Sequence, residues 1–174
     1  MRPLSRCTAL RPHRGMTLVE LMVVVVIIGV LSVLAVTGYR KYTFSARNSE
    51  AQNFLQAIRA AQESYYQSYG RYCGRPQGDL WPPQIPADVK EEWGAPQPEA
   101  WRHLGVKSPG WVWFQYEIRA GGPGDAPEGG VFANPPARPW FVARARADFL
   151  EGGETSLFEI TSETETVYSE NENH

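Results

Sequence analysis

The spacing of apolar positions changes along the chain, and each change predicts a different element. From Leu21 to Tyr39 the sequence is uncharged and strongly apolar, dominated by valine, isoleucine and leucine. As a helix, its roughly 19 residues at about 1.5 Å each nearly span a hydrocarbon layer of about 30 Å. Beyond it, Phe44, Ala51, Phe54, Leu55, Ile58, Ala61, Tyr65 and Tyr69 recur at helical steps, the stripe of an amphipathic helix. No proline falls between Pro12 and Pro76. The two patterns therefore predict one helix from about Thr17 to Tyr69, on the order of 80 Å long, with Gly70 placed to end it.

Residues 71 to 110 are dense in proline and glycine (Pro76, Pro82, Pro83, Pro86, Pro96, Pro98, Pro109), which predicts a surface loop. A short helix is expected near Pro98, with Trp101 and Leu104 inward. Period-two alternation then returns in Trp111 to Arg119, Trp140 to Ala147 and Leu157 to Thr161, with a fourth run at Thr166 to Tyr168. In the first run Val112, Phe114, Tyr116 and Ile118 share a face; in the second, Phe141, Ala143 and Ala145 oppose Val142, Arg144 and Arg146. Glycine- and proline-rich turns, 121–130 and 134–139, separate them. The fold class is α+β: a long N-terminal helix whose second half packs on a small antiparallel sheet.

At 174 residues the chain has room for one head domain of ordinary size. Net charge is -2, from 17 Lys and Arg against 19 Asp and Glu, but Arg2, Arg6, Arg11 and Arg14 lie in the first fifteen residues without an acid. Without those four, 13 basic residues face 19 acids, a net of -6. An acidic head lacks the basic stripe of a nucleic-acid binder, and the basic N-terminus favours a cytoplasmic start. The two cysteines, Cys7 and Cys73, flank the apolar run, so no disulfide joins them across a membrane. Cys73 is either a buried small hydrophobe or an intermolecular partner. His13, His103 and His174 are scattered, with no nucleophile or ligand set around them, and no enzyme and no cofactor are expected.

The segment Arg14-Gly15-Met16-Thr17-Leu18-Val19-Glu20-Leu21-Met22 and the valine-isoleucine run after it resemble the prepilin signature of type IV pilins and type II secretion pseudopilins. The resemblance covers residues 14–39 position by position. It implies cleavage after Gly15 by a membrane aspartyl protease and N-methylation of Met16, with Leu18, Gly29 and Tyr39 on helix-packing positions. Met16 stands where phenylalanine is usual, and Thr37 where many pilins have proline. That proline is tied to local loosening of the helix, so any such weakness here would fall to Gly29 and Gly38.

Glu20 has a physical reason of its own. A carboxylate inside an apolar segment costs about 2.5–3.5 kcal/mol on insertion scales and is rarely left without a partner. The resemblance supplies one, the terminal amine of Met16 on a neighbouring subunit. Three segments follow: a leader over 1–15, a membrane-spanning and filament-core half-helix over 16–39, and an amphipathic helix with globular head over 40–174. The implied partners are prepilin peptidase, other pilin subunits, an inner-membrane assembly platform with its ATPase, and lipid before assembly. The implied location is the bacterial inner membrane, N-terminus inside, then a surface pilus or periplasmic pseudopilus.

Other readings compete. A secretory signal peptide would have an apolar core of about 7–15 residues, shorter than this one. A minor pilin or pseudopilin acting as a tip module, or a single-pass anchor that never assembles, fits the same helix. Asp148, Glu151 and Glu154 around Gly152-Gly153 weakly suggest a calcium loop, with irregular ligand spacing. The six tryptophans supplement a small core or form an adhesive aromatic patch.

Overall fold

A computed structural model describes residues 15–87, 89–94, 96–127, 132, 134–149 and 155–171. Helix α1 runs from Leu18 to Tyr69. Thr17 stands just before it, and Gly70 follows with φ +69 and its N–H donated to the Tyr66 carbonyl at 2.8 Å. That left-handed conformation suits glycine and ends the helix as its position predicts. The chain divides between Lys41 and Tyr42 into two compact units.

In the first unit every described side chain is exposed. The polar groups within the apolar run are satisfied locally. Ser32 Oγ donates to the Ile28 carbonyl at 2.7 Å and Thr37 Oγ1 to that of Leu34 at 2.9 Å, so neither hydroxyl carries an unmet donor into an apolar medium.

In the second unit, α1 buries Asn48, Ala51, Leu55, Ile58 and Gln62, spaced at alternate steps of three and four. Ala51, Leu55 and Ile58 follow the predicted stripe, with Phe44, Phe54 and Ala61 partly buried beside them. Tyr69, expected on that face, is 66% exposed. The polar Asn48 and Gln62 occupy the stripe instead.

The sheet has five strands in the order β1-β4-β5-β6-β7, where β1 is Asp79–Trp81, β4 Gln115–Gly121, β5 Trp140–Ala147, β6 Ser156–Thr161 and β7 Tyr168–Glu170. All its neighbours are antiparallel. Strands β4 to β7 form the expected meander, with β1 added at its edge. Tyr116, Ile118 and Ala120 from β4, Phe141, Ala143, Ala145 and Ala147 from β5, and Phe158 and Ile160 from β6 make one core with Ala51, Leu55 and Ile58. A second sheet pairs β2, Glu91–Glu92, with β3, Trp111–Val112. Helix α2, Glu99–Leu104, lies where the short helix was expected, with Trp101 fully buried.

Three expectations are corrected. The run Trp111 to Arg119 is not one strand: Trp113 N–H donates to Glu50 Oε1 on α1 at 2.8 Å, which draws the backbone off the ladder and leaves β3 and β4 in different sheets. The proline-rich segment holds β1 and β2 as well as loop, because prolines flank those residues without occupying them. The last strand is shifted, to Tyr168–Glu170 instead of Thr166 to Tyr168.

The sheet's other face is covered too, and it carries charge. Glu117, 3% exposed, bonds Arg119 Nε at 2.6 Å and lies 3.2 Å from an Arg146 nitrogen, while Arg144 Nε bonds Glu159 at 2.6 Å. Strand register sets Glu117 beside Arg144 and Arg144 beside Glu159. Buried charges persist only when so paired. Gly78, φ +94, closes over this cluster, and a Cβ there would stand 2.4 Å from Glu117 Oε1.

Candidate functional site at the start of the long helix

The first turn of α1 is built by Thr17 and Glu20. Glu20 N–H donates to Thr17 Oγ1 at 3.2 Å, and Thr17 N–H and Thr17 Oγ1 both approach Glu20 Oε2 at 3.4 Å. This reciprocal arrangement is a capping box, in which a Thr before the helix and an acid three residues later satisfy amides that the helix leaves open. The Thr-x-x-Glu spacing lies inside the longer segment Arg14 to Met22. Both contacts go to Oε2, so Oε1 meets no donor among the described residues. A negative group in a helix's first turn is also favoured by the partial positive charge there.

Gly15 and Met16 precede this turn and are exposed, Met16 to 64%. Leu18 and Tyr39 are likewise exposed, and a Cβ placed on Gly29 or Gly38 would meet nothing within 4 Å. The chain thus offers an apolar helical surface with a single carboxylate at its start and flat glycine positions along it. Small residues of this kind let helices approach closely in an apolar medium. The helix passes the length and composition required to cross a membrane.

In the head, Cys73 is buried, a free thiol at 5% exposure with its Sγ 3.6 Å from the Ala100 carbonyl. Burial pushes that thiol up to about 11, with the charge of Asp79 adding to the effect, the behaviour of a packed and unreactive cysteine. Asp148 is exposed and donates its N–H to the Pro86 carbonyl; Glu151 and Glu154 lie outside the described residues. Among the described residues, no three of His, Cys, Asp and Glu are grouped to hold a metal. His103 lies 3.7 Å from Glu99; His13 and His174 lie outside the described residues. Trp93, Trp101 and Trp140 are buried, Trp81 and Trp113 are partly so, and Trp111 is 58% exposed. The aromatic side chains mostly supplement the core: Trp93 packs edge-on against Phe54, Trp101 and Tyr116.

Residues 10–36 match the family described as the prokaryotic N-terminal methylation motif. The chain is 42% identical over 60 residues to the type IV major pilin protein PilA of Myxococcus xanthus, covering 34% of this chain and 27% of that one. It is 36% identical over 77 residues to the type IV major pilin protein PilE1 of Neisseria gonorrhoeae, covering 44% and 32%. With the type II secretion system core protein G of Pseudomonas aeruginosa it shares 36% identity over 95 residues, covering 55% of this chain and 63% of the relative. The chain thus spans about a third of the length of these two pilins and under two thirds of the secretion protein. No solved structure matches it. By its methylation motif, its exposed apolar helix and these relatives, the chain is similar to type IV pilins and to a type II secretion core protein.

Proposed function

We propose that the chain is a structural subunit of a type IV pilus or a related filament. Residues 1–15 are a leader removed by prepilin peptidase after Gly15, and Met16 becomes the methylated terminus. Residues 16–39 serve first as the membrane anchor and then as the filament core, with residues 40–174 as the exported part. The observation that carries this reading is the lone carboxylate of Glu20, set one helical turn from Met16 at the start of an exposed run that is otherwise uncharged as far as Tyr39, with Oε1 open among the described residues. Cleavage creates the cation that this carboxylate lacks. In a low-dielectric core such a pair is strong and intolerant of misregister.

Apolar area that leaves lipid for apolar area on neighbours gains little net free energy. Side-to-side packing through Leu18, Gly29 and Tyr39, the Glu20 pair, and external work by an assembly ATPase on an inner-membrane platform complete the balance. A second reading, a periplasmic pseudopilus subunit of type II secretion, is favoured by one observation: the protein G match covers more of both chains than the two pilin matches do. Glu20→Ala is the test of the common mechanism. It should leave membrane insertion intact and abolish sheared filaments, and normal filaments from that variant would remove the ion pair from the account.

A further inference from the structure

The two edges of the five-stranded sheet differ in charge: the β1 edge is balanced, with Arg71 as its exposed cation unpaired among the described residues, and the β7 edge is acidic. At the β1 edge, Arg71, Arg75 and His103 border a cavity of about 430 Å³ together with Tyr65 and Tyr72. A neighbouring hollow of about 220 Å³ shares Tyr65 and His103 and adds Tyr69 and Leu104. The β1 edge holds this site in place: Ala120 N–H on β4 donates to the Arg75 carbonyl, and Trp101 Nε1 on α2 donates to the carbonyl of Asp79, the first residue of β1. Asp79 is buried and bonded to Arg75 at 2.6 Å, and Glu99 faces His103. Arg71 is exposed, with no acidic partner among the described residues.

The β7 edge is acidic, with Arg59 of α1 bonded to its turn. Residues 155–171 contain Glu159, Glu163, Glu165 and Glu170 and no Lys or Arg. Glu159 is taken by Arg144, while Glu163, Glu165 and Glu170 are exposed beside Tyr168. The turn between β6 and β7 is held in shape: Gln56 Nε2 on α1 donates to the Glu165 carbonyl at 3.3 Å, Arg59 donates to the Thr164 carbonyl, and the Thr161 and Thr164 hydroxyls bond each other at 3.0 Å.

We propose that these edges are the two halves of one contact between copies of this chain, in which the Glu163–Glu165 turn of one head seats against Arg71 and the Tyr65–Tyr69 face of the next. The inference rests on the filament reading above and assigns the surfaces that the heads use within it. Two different patches on one molecule make a heterologous contact, which repeats along a helix instead of closing into a dimer. Residues 16–174 carry a net of -6, so heads brought together at random repel, and juxtaposing unlike edges is what fixes register. The exposed rings at both edges, Tyr69 at 66% and Tyr168 at 61%, supply apolar contact around the charges.

The test uses the full chain, expressed with its assembly machinery, carrying Arg71→Cys and Glu165→Cys together and treated with a short bismaleimide. Cys73 is buried and does not compete. A ladder of trimers and longer species in sheared filaments is expected from the double variant alone. Arg71→Glu is expected to lower filament yield about two- to fivefold, with recovery when Glu165→Arg is added. Filaments of normal yield without a ladder, or cross-links only to a different chain, would overturn the edge contact and leave the filament reading standing. No filaments even from the wild type would instead overturn the filament reading.

Discussion

Gln62 on α1 and the backbone of Cys73 form a closed pair: Gln62 Nε2 donates to the Cys73 carbonyl at 2.7 Å, and Cys73 N–H donates to Gln62 Oε1 at 2.9 Å. Gln62 is fully buried, so its amide has no water to turn to. The chain leaves the helix at Gly70 and is fastened back to it within three residues. This clamp sets the direction in which the segment bearing Arg75 and Asp79 starts toward β1.

Removing the clamp should be expensive. Gln62→Leu preserves volume but strands one buried N–H and one buried carbonyl, each of which costs about 1–3 kcal/mol when unpaired. We expect a loss of about 2–4 kcal/mol, read as a lower denaturation midpoint of the full chain in detergent by tryptophan fluorescence. An unchanged midpoint would mean that the segment after Gly70 is held by other contacts.

Alkali should weaken the head through the Cys73 thiol first and then through buried tyrosine hydroxyls, Tyr72 and also Tyr116, which burial raises. Burial pushes the Cys73 thiol up from 9.0 to about 11, and burial together with the Glu63 carboxylate pushes the Tyr72 hydroxyl up from 10.0 to about 12. Above pH 9.0 the unfolded chain releases protons that the folded chain retains, so stability present below that pH is lost as pH rises through about 11 and then about 12. Cys73→Ala should flatten the first step and leave the second. Denaturant midpoints across that range check this, and parallel curves for the two proteins would contradict it.

The capping box makes a local prediction. Thr17→Val removes the hydroxyl that accepts from Glu20 N–H, and loss of such a cap costs about 0.5–2 kcal/mol at the helix start. Hydrogen exchange at the Glu20 amide should accelerate about fivefold, with Thr17→Ser near the wild-type rate. Equal rates in all three proteins would show that the contact adds nothing to the first turn.

Much of this architecture was legible because period and punctuation carry it. The absence of proline between Pro12 and Pro76, the glycine at position 70 and the alternation in Trp140 to Ala147 predicted α1, its end and β5. Side chains whose role depends on a distant partner were not legible. Asn48 and Gln62 are polar, so an apolar count passes over them, yet Gln62 is buried because Cys73 meets it. Glu117 and Arg144 alternate with the apolar positions of their strands, and nothing in that alternation tells that they are covered. The break after Val112 depends on Glu50, far away in the chain. Of the candidate site, the position of Glu20 before an uncharged apolar run was legible and its part in assembly is a proposal, whereas its capping bond to Thr17 was hidden by the longer motif that contains it.

The most direct test of the central claim is intact mass and N-terminal sequencing of the protein recovered from membranes and from sheared surface material. The account predicts a chain that begins at Met16 and carries one methyl group on its amine. A terminus upstream of Gly15 in cells with an active prepilin peptidase would contradict it and leave a plain membrane anchor.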